Sequence, residues 1–319
     1  MKFVYIMSSP QGGSTLLSLI LGQHSRAANL GEVSFIPKLL AMKELCTCGE
    51  LLAECPSWDG VFKELSSRTG VDMRSSPYGL YIGDAIKGKT GSGLVDHTYQ
   101  TRSRMLSAKV RGAIDTASLF YGPSSVKLKR IALPSVTTSV KNTLQLYESA
   151  AQVWEKDIII DASKLPRKAA HLYQYDPDRV RIIHLVRDGR GVTNSRMKKN
   201  MDFNEAAGRW NYYHRITKRI LNRWVAPEHR TRIRYEDFVK DPDIHIQSLC
   251  DWLEIPYSKE MIEFNEDQVI HSAGGNPARF RIKSGLKPSD ERWRTELSQE
   301  ILAKFENIGG ELNREFGYE

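Results

Sequence analysis

Strands alternating with helices along the chain predict an α/β fold, a parallel sheet covered by helices on both faces and carrying a helical insertion. Short apolar runs recur, segments with helical spacing separate them, and two strands run straight into glycine-bearing turns. Residues 3–7 read as the first strand, 14–23 as a helix, and 33–45 as a second helix rich in Leu, Ile, Met and Ala. Ser75 to Gly93 reads as loop. Thr101 to Phe120 and Thr138 to Trp154 have helical spacing, with Ser135-Val136-Thr137 as a break between them. Asp157 to Asp161 is a short buried strand, Pro166 to Tyr175 a helix, and Val180 to Val186 a strand that leads into a further helix. Asn204 to Arg223 is a long amphipathic helix, Arg230 to Tyr235 a strand and Ile244 to Leu253 a helix. Val269 to Lys287 is irregular and basic, and a last helix spans about Ser298 to Phe316. One domain over residues 1–319, with an insertion at 45–150, is the simplest organisation.

Composition narrows the function classes. Hydrophobic residues at 40% and charged residues at 26% describe an ordinary globular chain. No apolar run approaches the roughly 18 residues of a membrane helix. Met1-Lys2-Phe3 opens into the first strand, so a leader would have to be cut out of the site, and a cytoplasmic location is expected. The net charge of +8 suits polyanionic ligands. Its basic residues are scattered rather than striped with aromatics, which argues against nucleic acid. Four cysteines are too few for a disulfide scaffold. Three of them cluster as Cys46-Thr47-Cys48-Gly49 and Cys55-Pro56. A zinc site needs a fourth ligand and none stands at a finger-like spacing, so no metal is expected. Reduced thiols in a compact loop are the first reading, with a disulfide or a metal as the alternatives.

Two segments carry chemistry. After the first strand comes Ser8-Ser9-Pro10-Gln11-Gly12-Gly13-Ser14-Thr15, a tight glycine turn opening a helix. Converging backbone N–H groups and the positive helix end make this a P-loop-like site for a phosphate or sulfate group. A nucleotide-hydrolysing loop has Lys after its last glycine, and here Ser14 follows Gly13. The second segment is Val186-Arg187-Asp188-Gly189-Arg190 at the end of another strand, with Ser195 eight residues beyond Arg187. A guanidinium fork and a hydroxyl in the next helix can grip a second phosphate. Both segments follow strands directly and so belong on the carboxyl edge of the sheet, where such folds bind ligands.

Pro10 to Thr15 resembles the 5′-phosphosulfate loop of sulfotransferases, which use 3′-phosphoadenosine 5′-phosphosulfate (PAPS). Gln11 stands where that family usually has Lys or Arg. Arg187 and Ser195 have the spacing of the family's 3′-phosphate motif. Tyr235-Glu236-Asp237 is similar to its Tyr-Glu-Asp segment, whose Tyr touches adenine and whose acids brace the fold. Gly274 to Arg281 resembles a late loop of bacterial members, in which Asn276 and one of Arg279 and Arg281 would face the nucleotide. These elements run in family order from residue 4 to about 281, nearest the bacterial and tyrosylprotein-like branch.

The resemblance implies sulfuryl transfer from PAPS to a hydroxyl acceptor: a carbohydrate, lipid, peptide or small metabolite. Leu30-Gly31-Glu32 … Ile36-Pro37 is similar to the stretch that bears the general base of tyrosylprotein sulfotransferases, which makes Glu32 the expected base. Gln11 cannot neutralise charge, so another cation has to substitute for it. Lys164, in Ser163-Lys164-Leu165-Pro166 after a strand, is the candidate. Trp58, Tyr78, Tyr81, Tyr99 and Tyr121 of the insertion either stack an acceptor ring or fill the core. Two alternatives stay open, a P-loop nucleotide kinase-like enzyme and a non-catalytic nucleotide-binding protein.

Overall fold

The computed structural model describes residues 1–82, 134–263, 269–280 and 291–319. Its centre is a five-stranded sheet in the order β2-β3-β1-β4-β5, every pair parallel. The strands are β1 (Lys2–Met7), β2 (Ala27–Gly31), β3 (Ile158–Asp161), β4 (Val180–Val186) and β5 (Arg230–Arg234). Alternation along β1 divides the core. Phe3, Tyr5 and Met7 point into one apolar cluster, and Val4 and Ile6 into another on the opposite face. Burial on both faces explains why these strands read as unbroken apolar runs.

The helices follow from the pattern of the faces. On the side of Phe3 pack α3 (Pro56–Thr69), α4 (Pro134–Val153), α5 (Pro166–Tyr175) and α7 (Phe203–Trp224). On the side of Val4 pack α1 (Ser14–Gly22), α8 (Tyr235–Lys240) and α9 (Pro242–Leu253). Between these groups in the chain stand α2 (Ile36–Ala41) and α6 (Gly189–Met197). Proline at the first turn starts α3, α5 and α9, where its missing N–H costs nothing. Asp188 caps α6 by accepting from the Arg190 N–H at 2.9 Å. No helix among the described residues is long and apolar enough to cross a membrane.

Several expectations are corrected. Strand β2 is absent from the sequence reading because Ala27-Ala28-Asn29-Leu30-Gly31 has no β-branched residue. It forms by pairing with β3, and Asn29 ties it to α1 by donating to Ser18 Oγ at 3.2 Å. The helix expected at 33–45 is a 3₁₀ turn, Val33–Phe35, followed by α2, which ends before Lys43 at φ 53°. Ser135-Val136-Thr137 is no break, since these residues lie in the first turn of α4 behind Pro134. The last helix is interrupted by a π turn at Glu306–Gly310, where Gly309 leaves room for the Phe305 and Trp210 rings.

Of the insertion expected at 45–150, residues 83–133 lie outside the described residues, and with them the helix expected at 101–120, Tyr99 and Tyr121. Trp58 is core, stacked on Phe62 at 5.4 Å and edge-on to Trp154 at 5.3 Å. Tyr78 is exposed.

Candidate active site

The carboxyl ends of all five strands carry the residues singled out in the sequence. Glu32 follows β2, Lys164 lies just beyond β3, Pro10 to Thr15 follow β1, Arg187 follows β4, and Tyr235 follows β5. Parallel pairing puts these ends on one edge of the sheet.

The glycine loop is shaped for an anion. Gln11 (φ 70°) and Gly13 (φ 93°) both take left-handed backbone, and Gly12 N–H closes the turn on Ser9 O at 2.9 Å. No side chain caps α1, so its first-turn N–H groups have no side-chain acceptor. The Tyr235 ring lies directly over Gly13, in the space a Cβ would occupy. Gly13→Ala therefore combines backbone strain with displacement of that ring, at about 1–3 kcal/mol. Its midpoint of thermal unfolding should fall and its affinity for 3′-phosphoadenosine 5′-phosphate (PAP) should drop about tenfold or more, measured by calorimetry. Unchanged values in both would show that the turn tolerates a side chain.

Arg187 joins the two segments. Its Nη1 donates to the Gln11 carbonyl at 2.9 Å, and its guanidinium sits 5.0 Å from the centre of the Tyr235 ring. Ser195 is half-buried on α6, two helical turns beyond Arg187. Glu236 braces the same corner by accepting from the Asp188 N–H at 3.1 Å and the Tyr318 hydroxyl at 2.6 Å. Burial pushes the Glu236 carboxyl up.

On the other flank, Lys164 and Glu32 form an ion pair, both largely shielded from solvent. Lys164 also donates to Ala162 O at 3.1 Å and holds a left-handed φ of 63°. A buried network supports the pair. Asp161 accepts from the Ser163 N–H at 2.7 Å, from the Ser163 hydroxyl, and from the Tyr147 hydroxyl at 2.5 Å. The Ser34 N–H in turn donates to Ser163 Oγ at 2.9 Å, so the turn after Glu32 is locked to the loop that bears Lys164. The backbone N–H of Glu32 itself donates to Ala273 O at 2.7 Å.

The late loop closes on the glycine turn. The Asn276 N–H donates to Thr15 Oγ1 at 3.2 Å, and Gly275 packs against the same side chain. Arg279 is buried, donating to Gly275 O at 2.9 Å and to Leu45 O at 3.4 Å. Arg281 lies outside the described residues.

Two groups escaped the sequence reading. Arg196, on α6 and 6% exposed, reaches Pro10 O at 3.5 Å, and burial pushes its guanidinium down to about 10. Its Nη1 and the Nε of Arg279 are buried donors with no hydrogen-bond partner among the described residues. Buried unpaired donors beside an uncapped helix start fit a bound polyanion. The second group is His271, which the fold brings to the three clustered cysteines.

A model of the Sulfotransferase family matches residues 126–259. The chain is similar in structure to the sulfotransferase domain of the olefin synthase from Synechococcus PCC 7002, at 18% identity and a TM-score of 0.54, over 100% of this chain and 95% of that one. It is also similar to the sulfotransferase domain from the curacin biosynthetic pathway, at 19% identity and a TM-score of 0.51, over 100% and 98% of the two chains. No curated protein matches it. The structural likeness shows the fold, and the family match covers residues 126–259 of the chain.

Proposed function

We propose that the chain moves a sulfuryl group from PAPS to a hydroxyl acceptor. The observation that carries this reading is the bond from Arg187 Nη1 to the Gln11 carbonyl, which makes one cradle of two segments 176 residues apart. In that cradle the Gly12–Thr15 backbone would hold the 5′-phosphosulfate, with Arg187 and Ser195 on the ribose phosphate and Tyr235 against adenine. Asn276 and Arg279 would close the late loop over the nucleotide.

PAPS supplies an activated sulfuryl group: the acceptor O–S bond forms as the bond from sulfur to the 5′-phosphate oxygen breaks, leaving PAP. Glu32 takes the proton of the acceptor hydroxyl. Lys164 orients the Glu32 carboxylate and, together with Arg196 at the loop, supplies the positive charge that Gln11 lacks.

Calorimetry with PAP and ATP in parallel, followed by incubation of PAPS with pooled hydroxyl metabolites, tests the reading. Tight PAP binding and an acceptor mass gain of one SO₃ unit are expected. Preference for ATP would favour a kinase-like enzyme, and PAP binding without transfer to any acceptor a non-catalytic binding protein.

A further inference from the structure

Beside the candidate active site, four ligand atoms converge without any role in sulfuryl transfer. Cys46, Cys48, Cys55 and His271 each offer one atom, and all four lie within 4.8 Å of one another. Cys48 Sγ is 3.7 Å from Cys55 Sγ, and His271 Nδ1 is 3.2 Å from Cys55 Sγ and 3.8 Å from Cys46 Sγ. A tetrahedral zinc ion has Zn–S bonds of about 2.3 Å and Zn–N bonds of about 2.0 Å, so its ligand edges run to roughly 3.8 Å for S···S and 3.5 Å for S···N. The separations in the cluster scatter about those values. A disulfide needs sulfurs at about 2.05 Å, and it would leave one of the three thiols and the imidazole unused.

The backbone is built to present these atoms. Gly49 N–H bonds to Cys46 O at 3.0 Å and Cys46 N–H to Glu50 O at 2.8 Å, folding Cys46 and Cys48 into one tight turn with Gly49 at φ 97°. Cys55 sits at the N-cap of α3, so the start of that helix fixes its position. His271 arrives on the late loop, which is already stitched to the cysteine turn. Thr47 N–H donates to Ser272 O at 3.2 Å, and Cys46 bridges Ala273.

We propose that Cys46, Cys48, Cys55 and His271 bind one zinc ion as a structural site. Four protein ligands close the tetrahedron and leave no position for substrate. Three sulfurs and one imidazole select a borderline-soft ion. Loading converts the three thiols to thiolates, releases their protons and takes the lone pair of His271 Nδ1.

The site has a consequence for its neighbourhood. Ala273, two residues from His271, accepts from the Glu32 N–H at 2.7 Å and donates to Leu30 O at 3.0 Å. The ion would staple the loop bearing Asn276 and Arg279, already bonded through Ala273 to the end of β2, to the cysteine turn. This proposal stands on geometry separate from the functional reading above and is tested without any sulfuryl donor.

The full chain, purified without chelators, should contain about one zinc per chain by mass spectrometry of metals. Mercurial titration should release that zinc in step with modification of Cys46, Cys48 and Cys55, while Cys250, buried in the core, should react only on unfolding. Cobalt(II) loading should give the visible bands of a tetrahedral thiolate site, a readout on the unmutated chain. Cys48→Ser and His271→Gln should weaken zinc retention against a competing chelator by tenfold or more. A folded parent chain that holds no metal and gives no tetrahedral cobalt spectrum overturns the site. In that case a mass two hydrogens lower identifies a disulfide, and four thiols titrating in denaturant identify reduced cysteines.

Discussion

Glu32→Gln is expected to bind PAP as tightly as the parent chain while sulfuryl transfer falls by about 10²–10⁴-fold. The amide matches the carboxylate in size, and its carbonyl oxygen can still accept from Lys164, so the ion-pair site stays filled. What it cannot do is take a proton. Distance keeps the two readouts apart. Glu32 follows β2 and Arg187 follows β4, three sheet positions away in the order β2-β3-β1-β4-β5, or about 14 Å at the usual strand spacing. The Arg187 end of the nucleotide site is therefore left intact by the change at Glu32. Single-turnover transfer with saturating donor measures the first effect and calorimetry the second. Parent-level turnover would remove Glu32 as the base. Joint loss of turnover and PAP binding would make the Glu32–Lys164 pair a structural strut.

What could be read in the chain without the fold was local. The glycine loop and Arg187 each follow a strand within one or two residues, so the apolar run marks the sheet edge and the next residues must lie on it. Glu32 and Lys164 were found separately, by motif, and their ion pair depends on β2 lying beside β3. That neighbour relation was hidden because Ala27 to Gly31 has weak strand propensity and is held by its partner strand. Arg196 reads in sequence as one more surface arginine. Its burial follows from α6 packing with its C-terminal half beneath Pro10, a tertiary fact. His271 was beyond any spacing rule, since it meets Cys55 across 216 residues. The local signal that existed was the Cys-x-Cys-Gly turn itself, which asked for a fourth ligand without saying where in the chain to look.

Arg187→Ala should weaken PAP binding by about 10²–10³-fold, equivalent to about 3–4 kcal/mol. Two losses add. A guanidinium fork aimed at a phosphate contributes charge-assisted bonds of about 1.5–3 kcal/mol each, and alanine supplies none. The Gln11 carbonyl also loses its 2.9 Å donor, so the glycine loop is no longer tied to the end of β4. The Tyr235 ring, now flanked by Arg187 on one side and Gly13 on the other, would lose one wall of its slot. Arg187→Lys separates the terms. It restores a charge near the phosphate without the planar fork, so it should recover only part of the affinity. Thermal unfolding without nucleotide measures how much of the loss is loop disorder rather than a missing phosphate contact. The parent's advantage over Arg187→Ala should shrink only modestly as salt rises, because Arg187 is buried and its charge is weakly screened. Parent-like PAP affinity in Arg187→Ala would mean that the nucleotide does not bridge the ends of β1 and β4, and the cradle formed by Gln11 and Arg187 would then need another occupant.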